Sequence, residues 1–389
     1  MKNARYNNIA AIILLLVSVA PHLYSCKQKP AIGPDLTTRI EFFGKSYKDF
    51  TFSAVRIVPL QTTKHNMHGN HINIKLFRKR IFISDQDYGS VFIYNSDGHY
   101  IDKTGIRGPG PQEYPNLADF SVFNDTVEVL SVTGQNSVIS GYSYDGQLMY
   151  SRKFDLSVAG FGKYNQGYLL YTSFQHALHP WRLYSANFDG EITGTFLESV
   201  PGFNIPITEQ NFYATDSLII FKEAFSNRVF TYSSGELSEW FIIDFGKYNV
   251  PDNFLKTDFF KGFEMLNQRG FAVIRNLSDN PFYTVFEVIT QKNGEENQLY
   301  NLIFDKANHT FFRRHFGNAD EEMPGQLVDI TDNNELVYLT FPHQLTKNQN
   351  QMKQLPVENL ELLEQVSETD NPVLLFCKIS TRNNPVNKQ

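Results

Sequence analysis

Short runs of β-branched and aromatic residues, separated by turn residues, follow one another from residue 71 almost to the end of the chain. Within the run Thr126 to Val132, Val127 and Val129 alternate with Glu128. A two-residue period of this kind is typical of a β-strand with one exposed face. The pattern therefore predicts an all-β protein.

The turns between these runs recur at a nearly constant spacing. Gly98, Gly146, Gly190 and Gly235 each close a turn of the Asp-Gly or Ser-Gly type, and they lie 48, 44 and 45 residues apart. Glycine at such a position supplies the positive φ that a tight hairpin requires. A period of about 45 residues with four strands per period is that of a β-propeller blade. Counted in this way, units begin near residues 71, 117, 158, 211, 271 and 326.

The sixth unit is one strand short. The apolar segment 53–60 precedes the first unit and has no blade of its own, and pairing it into the last blade would satisfy its edge hydrogen bonds. The fold class predicted is therefore a six-bladed β-propeller with four antiparallel strands per blade, closed by an N-terminal strand in the last blade. The propeller is assigned to residues 53–389, and the leucine-rich segment 347–369 is predicted to be a helical insertion.

The N-terminus has the pattern of an export signal. Lys2 and Arg5 precede an apolar run from Ile9 to Ala20, which is too short to span a bilayer. The following Leu-Tyr-Ser-Cys sequence ends at Cys26 and matches a bacterial lipobox, in which the cysteine is acylated. We therefore predict a lipoprotein signal peptide over residues 1–25, a lipidated tether and N-terminal segment over 26–52, and anchoring in the outer membrane, facing either the periplasm or the surface. The alternative is an ordinary secretion signal with an incidental cysteine.

Three segments carry a resemblance to a known family: Ile57 to Leu60, Gly105 to Tyr114, and Asp370 to Leu374. Together they resemble the six-bladed β-propeller lipoproteins that are common in Bacteroidota and are related in fold to NHL and TolB-like propellers. The sequence Pro111-Gln112-Glu113 replaces the Gly-Glu pair usual in that family, which extends the loop by one residue. The resemblance implies a fold and a location in the cell envelope, but most members of the family have no assigned activity.

Composition and sequence motifs further limit the classes of function that the protein could have. The net charge of −6 argues against a nucleic-acid partner, because such a protein needs basic side chains to neutralise phosphates. The second of the two cysteines, Cys377, lies in an apolar run and is interpreted as a buried hydrophobic residue. No sequence signature of a hydrolase, zinc protease or nucleotide-binding loop is found, so neither a catalytic residue nor a cofactor is predicted.

Charged residues are expected to converge around the channel mouth. In a propeller, the connections between blades lie on the same face as the turns between the second and third strands. This geometry brings together the candidate ligand-binding residues Arg107, Glu113, Tyr114, Asp85, Asp87, Glu223 and Arg228. The favoured alternative is structural, with Arg107 and Glu113 paired to hold adjacent blades together.

Two further residues, His176 and Trp181, lie between two strands of the third unit and could stack on a sugar ring, although Trp181 could equally belong to the core. The spacing of His65, His68 and His71 could in principle ligate a metal, but a polar connecting loop is the preferred interpretation, and no metal site is predicted.

These observations favour a non-enzymatic binding or scaffolding module for a glycan, a peptide or an envelope protein. The alternative is a propeller enzyme, a hydrolase or lyase, with its active site at the channel mouth.

Overall fold

The structure is a computed structural model that describes residues 37–202, 204–214, 218–319 and 324–381. The predicted signal peptide and Cys26 lie outside the described residues. In the described ranges, no helix is long and apolar enough to cross a membrane.

The strands form six antiparallel sheets arranged in a ring, and each sheet is one blade. Blade 1 contains β3 (Ile72–Phe77), β4 (Arg80–Asp85), β5 (Ser90–Asn95) and β6 (Tyr100–Thr104). Blade 2 contains β7 (Asp119–Phe123), β8 (Thr126–Thr133), β9 (Asn136–Ser143) and β10 (Leu148–Phe154). Blade 3 contains β11 (Gly160–Tyr164), β12 (Gly167–Tyr171), β14 (Trp181–Ala186) and β15 (Ile192–Glu198).

The second half of the ring follows the same order. Blade 4 contains β17 (Phe212–Ala214), β18 (Ile219–Lys222), β19 (Arg228–Ser233) and β20 (Glu236–Asp244). Blade 5 contains β21 (Phe271–Asp279), β22 (Tyr283–Gln291), β23 (Gln298–Asp305) and β24 (Thr310–Asn318). Blade 6 contains β25 (Gln326–Ile330), β26 (Glu335–Thr340), β27 (Val373–Ser380) and β2 (Thr51–Pro59). The six predicted units therefore begin within two residues of the observed first strands.

The ring closes through β2, as predicted. This strand pairs antiparallel with β27, with Val55 opposite Cys377 and Ile57 opposite Leu375. It forms the outermost strand of blade 6, although it comes from the other end of the chain. Pro59 lies at the end of this strand, where a missing backbone donor does little harm.

The apolar core lies in the spaces between neighbouring blades. Ile74 and Ile83 of blade 1 pack against Val337 and Leu374 of blade 6. On the other side of blade 1, Phe82 belongs to a cluster that includes residues of blade 2. Each sheet thus buries both of its faces against its neighbours, which explains why the strands are apolar on both sides.

Several elements add to the predicted arrangement. The short strand β1 (Thr38–Glu41) pairs parallel with β20, so blade 4 has a fifth, outermost strand. A two-stranded ribbon of β13 (Phe174–Gln175) and β16 (Asn204–Ile205) lies beside blade 3.

Helices occupy two of the connections. The helix α1 (Phe259–Arg269) lies between blades 4 and 5, where the sequence analysis predicted no helix. Where one helix was expected over 347–369, the chain forms α2 (Pro342–Lys347), α3 (Gln349–Met352) and a 3-10 helix at Leu360–Gln365.

The two faces of the ring differ in the length of their connections. We call the face at which the innermost strands begin the loop face, and the opposite face the turn face. On the turn face, consecutive strands are joined by two to five residues. On the loop face several connections are longer, reaching residues 245–270 between blades 4 and 5 and 341–372 within blade 6.

Candidate functional site

Asp85 organises the loop face above blade 1. Its side chain is fully buried at the end of β4, where it accepts hydrogen bonds from the backbone N–H groups of Gly69 (2.8 Å), Asp87 (3.0 Å) and Tyr88 (3.1 Å). The buried His68 ring bridges Asp85 Oδ2, at 3.3 Å from Nδ1, and the Tyr94 hydroxyl, at 2.8 Å from Nε2. Burial alone would raise the pKa of Asp85, but the hydrogen bonds from His68 and Gly69 outweigh it and lower this pKa. Asp85 therefore holds two loops together instead of facing a ligand.

Asp87 lies on the surface of the same loop. His71 Nδ1 is 3.0 Å from its carboxylate, and this hydrogen bond lowers the pKa of Asp87. His68 and His71 thus bind two different aspartates, the first buried and the second exposed. In the described residues, no cluster of three or more His, Cys, Asp or Glu side chains with metal-binding geometry is found.

Arg107 and Glu113 do not form the pair that the sequence analysis favoured. Glu113 Oε2 instead accepts a hydrogen bond from Gly110 N at 2.8 Å and so closes its own loop. Its carboxylate fills the space beside Gly108, where a β-carbon would lie 2.0 Å from Glu113 Oε2. Arg107 is exposed and packs its aliphatic stem against Gly89.

Tyr114 provides the contact between loops that the expected pair does not. Its side chain is only 1% exposed, and its hydroxyl donates a 2.9 Å hydrogen bond to the carbonyl of Gly89 in the β4–β5 turn. The Tyr142 hydroxyl of blade 2 donates to the carbonyl of Gln112, one of the residues of the extended loop. The 105–114 connection is thus fixed to blades 1 and 2 by backbone acceptors and a buried aromatic ring.

Glu223 joins blades 3 and 4. The guanidinium of Arg182 binds it through two nitrogens, at 2.6 and 3.1 Å, and the Tyr171 hydroxyl donates to it at 3.1 Å. Arg182 and Glu223 are almost completely buried. Arg228, which was expected beside Glu223 at the channel mouth, instead pairs on the surface with Glu239 of the adjacent strand.

His176 and Trp181 do not form a stacking platform. His176 is exposed, but Trp181 is half-buried and packs against the core between blades 2 and 3. The buried ring in this loop is His179, whose Nε2 accepts a hydrogen bond from Ser157 N at 3.2 Å. Burial lowers the pKa of His179.

Large apolar side chains are exposed in the same loops. Tyr88 and Ile106 are 57% and 59% exposed, and the residues that follow them, Gly89 and Arg107, are in direct contact. Further exposed apolar residues of the loop-face connections are Met67, Leu178, Phe260 and Met265.

The sequence analysis did not single out the charged residues of the central channel. Asp329, on the innermost strand of blade 6, accepts hydrogen bonds from Ser278 Oγ of blade 5 (2.7 Å) and from Ile330 N (2.8 Å). Burial raises its pKa to about 6, although contacts with the Leu76 N–H of blade 1 and the Tyr213 hydroxyl of blade 4 lower it. Groups from four blades therefore meet at this one carboxyl.

Lys75 and Asp119 complete the channel cluster. Asp119 accepts hydrogen bonds from Phe120 N (2.8 Å) and Phe161 N (3.0 Å), and burial raises its pKa. Burial lowers the pKa of Lys75, while the charges of Asp119 and Asp329 act in the opposite direction. Lys75 lies between Ile74 and Leu76 in an apolar pattern with a period of two residues, which is typical of a strand anywhere in the blade. Only the charge of Lys75 could have indicated a position in the channel.

Comparison with known proteins places the chain in a family. Residues 44–378 match the family described as "Domain of unknown function (DUF4934)". The chain belongs to the DUF4934 family. No curated protein has a significantly similar sequence.

Solved structures share the fold of this DUF4934 protein. A protein from Bacteroides fragilis NCTC 9343, described as exported, has a TM-score of 0.68 and 16% sequence identity, over 88% of this chain and 99% of the other. A DUF4221 family member from Bacteroides vulgatus ATCC 8482 has a TM-score of 0.50 and 8% identity, over 86% and 99% of the two chains. At these identities the similarity extends to the fold alone.

Substitutions at Tyr114 and Arg107 compare the contributions of a buried ring and of an exposed charge to the free energy of unfolding. We expect Tyr114→Phe to lower the free energy of unfolding by about 1 kcal/mol through the lost hydrogen bond to Gly89. Tyr114→Ala should lower it by about 3–5 kcal/mol because it also leaves a cavity. Arg107→Ala should change it by less than about 0.5 kcal/mol, as is usual at an exposed position. Chemical denaturation measures all three, and a larger effect for Arg107→Ala than for Tyr114→Phe would contradict this assignment.

Asp329 should make the stability of the protein depend on pH. Its pKa rises from 3.8 to about 6 on folding, so the folded state binds a proton more tightly than the unfolded state does. The free energy of unfolding should therefore fall by about 3 kcal/mol as the pH rises from 4 to above 6, and stay constant at higher pH. Asp329→Asn should abolish this component in denaturation experiments at pH 4, 5, 6 and 7. The exposed Asp97→Asn is the matched control, and an Asp329→Asn profile parallel to that of wild type would exclude the assignment.

Proposed function

We propose that the protein is a lipid-anchored β-propeller of the cell envelope, which binds a polypeptide partner on its loop face and catalyses no reaction. The observation that carries this proposal is the asymmetry of the ring. The long connections all emerge on one face and expose apolar side chains there, whereas the opposite face consists of short turns. Binding residues are commonly carried by loops that a rigid scaffold positions.

The loops above blade 1 suit such a role because buried hydrogen bonds hold them in place. The buried hydrogen bonds of Asp85, His68 and Tyr114 fix their backbones before any partner arrives. A pre-organised surface loses little conformational entropy on binding. Tyr88 and Ile106 offer apolar contact area, and the adjacent Arg107 and Asp87 provide charged groups of both signs.

A polypeptide is favoured over a glycan by the position of Trp181. This ring packs into the core instead of presenting a flat surface to solvent, so it cannot act as an open sugar-stacking platform. Exposed apolar side chains next to charged ones are typical of protein interfaces.

The envelope location rests on the basic and apolar N-terminal segment and on the lipobox that ends at Cys26. The relative from B. fragilis is described as exported, which is consistent with this location. Acyl chains on Cys26 would hold the propeller at a membrane, because two or more chains together anchor a protein stably.

The anchor has a direct test. Cys26→Ser should move the protein from the detergent phase to the aqueous phase on phase partitioning, because the acyl chains can no longer be attached. Cys377→Ser is the matched control, since it removes the other cysteine, which is buried. Unchanged partitioning of Cys26→Ser would rule out the lipid anchor.

The binding face is tested by two matched double variants. Tyr88→Ser/Ile106→Ser alters the loop face, and Met149→Ser/Ile192→Ser removes two similarly exposed apolar side chains next to the turn face. After cross-linking in intact envelopes, protein and glycan fractions recovered with the propeller are analysed by mass spectrometry. Wild type and the turn-face variant should recover the same polypeptide, and the loop-face variant should recover at least tenfold less, with an unchanged melting temperature.

Two results would overturn this proposal. Equal recovery by the two variants would show that the partner binds elsewhere. Specific recovery of glycan alone, lost in the loop-face variant, would replace the polypeptide with a carbohydrate ligand.

A further inference from the structure

The central channel contains a small cavity. Its volume is about 120 Å³, and its walls come from the innermost strands of blades 1, 2, 3, 4 and 6. The residues that line it on β3 and β7 include Phe77 and Phe123, the last residues of those strands.

The ammonium group of Lys75 has no direct partner among the described residues. Lys75 lines the wall, and in the part of the chain that the structure describes its Nζ makes no hydrogen bond or ion pair. Its nearest recorded contact is the Phe120 ring, whose centroid is 5.1 Å away. A charge enclosed by protein is costly unless something in the cavity solvates it.

A carboxyl group faces the same space. Asp329 lines the wall, and its charge acts on Lys75, yet the two side chains do not come within the 4.0 Å of a salt bridge. Asp119, on the neighbouring blade, acts on the Lys75 charge more strongly than Asp329 does. Opposite charges that share a cavity without touching leave room for a molecule that contacts both.

The geometry points to a binding site for a small zwitterion, an α-amino acid of the size of glycine or alanine. Its carboxylate would lie on the Lys75 ammonium, and its ammonium on Asp329 with the Tyr213 hydroxyl nearby. The aromatic wall formed by Phe77, Phe123 and Phe212, together with a volume of about 120 Å³, favours a hydrogen or a methyl side chain. This site is independent of the proposed loop-face function, because it lies in the channel and involves none of the same residues.

The charges explain why each half of such a molecule should bind poorly alone. An anion bound to Lys75 is also repelled by Asp329 and Asp119, and a cation bound to Asp329 is repelled by Lys75. Only a molecule that carries a negative and a positive charge can interact favourably with Lys75 and Asp329 at the same time. A ligand with five or six non-hydrogen atoms is limited to dissociation constants of about micromolar or weaker.

The test is a ligand panel on the wild-type protein. Glycine and L-alanine should raise the melting temperature in a saturable way and give dissociation constants by calorimetry. Acetate and methylammonium, the two half-molecules, should bind at least tenfold more weakly, and L-leucine should not bind. Acetate binding as tightly as glycine would overturn the zwitterion site in favour of an anion site, and no saturable effect with glycine or alanine would mean that the cavity holds only water.

Two variants assign the contacts. Lys75→Met and Asp329→Asn preserve size and should each raise the dissociation constant for glycine at least tenfold, whereas Lys103→Met, on the outermost strand of the same blade, should leave it unchanged. Near-ultraviolet circular dichroism verifies that each variant is folded. Wild-type glycine affinity in a folded Lys75→Met protein would overturn the assignment. Since the loop-face variant Tyr88→Ser/Ile106→Ser should bind glycine normally, this inference and the proposed function can fail separately.

Discussion

Closure of the ring by β2 is the constraint on which the rest of the structure depends. Each blade buries apolar side chains on both faces, so every blade needs two neighbours, and a linear row of six would leave two faces open to water. Pairing of β2 with β27 joins residues more than 300 positions apart and covers both ends together. The core between blades 5 and 6 then includes Val55 and Ile57 of β2 beside Leu336 and Leu375. The closure also joins loops on the loop face, because Asn371 of blade 6 accepts a hydrogen bond from His68 N at the start of blade 1.

Buried charges reinforce the contacts between blades. Between blades 2 and 3, the Glu128 carboxylate accepts hydrogen bonds from Lys163 Nζ (2.9 Å) and from the hydroxyls of Tyr150 (2.7 Å) and Tyr168 (2.5 Å). Gly141 makes room for this cluster, since a β-carbon there would lie 2.3 Å from the Tyr150 ring. Arg182 and Glu223 play the same role between blades 3 and 4. Such a pair adds little net stability over apolar packing, but loss of one partner leaves an unpaired buried charge, so it fixes which blade faces which.

Much of the fold could be predicted because its determinants are local. The turn glycines near residues 98, 146, 190 and 235 have positive φ, and their spacing gave the blade period. The missing fourth strand of blade 6 followed from counting. The helix α1 was missed even though Asp258 caps it and Phe259, Phe263 and Leu266 have helical spacing, because a phenylalanine-rich insertion hides that period among strands. The four-residue β1 is too short for any pattern to identify.

The candidate site was harder to predict because it depends on which side chains meet across blades. The sequence placed Asp85, Arg107, Glu113 and Glu223 on one face of the ring, but it could not show that buried hydrogen bonds occupy Asp85 and Glu223. Residues whose charges are satisfied by buried hydrogen bonds are poor ligands, so the side chains available for the proposed binding on the loop face are those that the scaffold does not use. In the central channel, the described residues leave the Lys75 ammonium without a direct partner, and a charge retained in that state is more readily explained by what it binds than by what it stabilises.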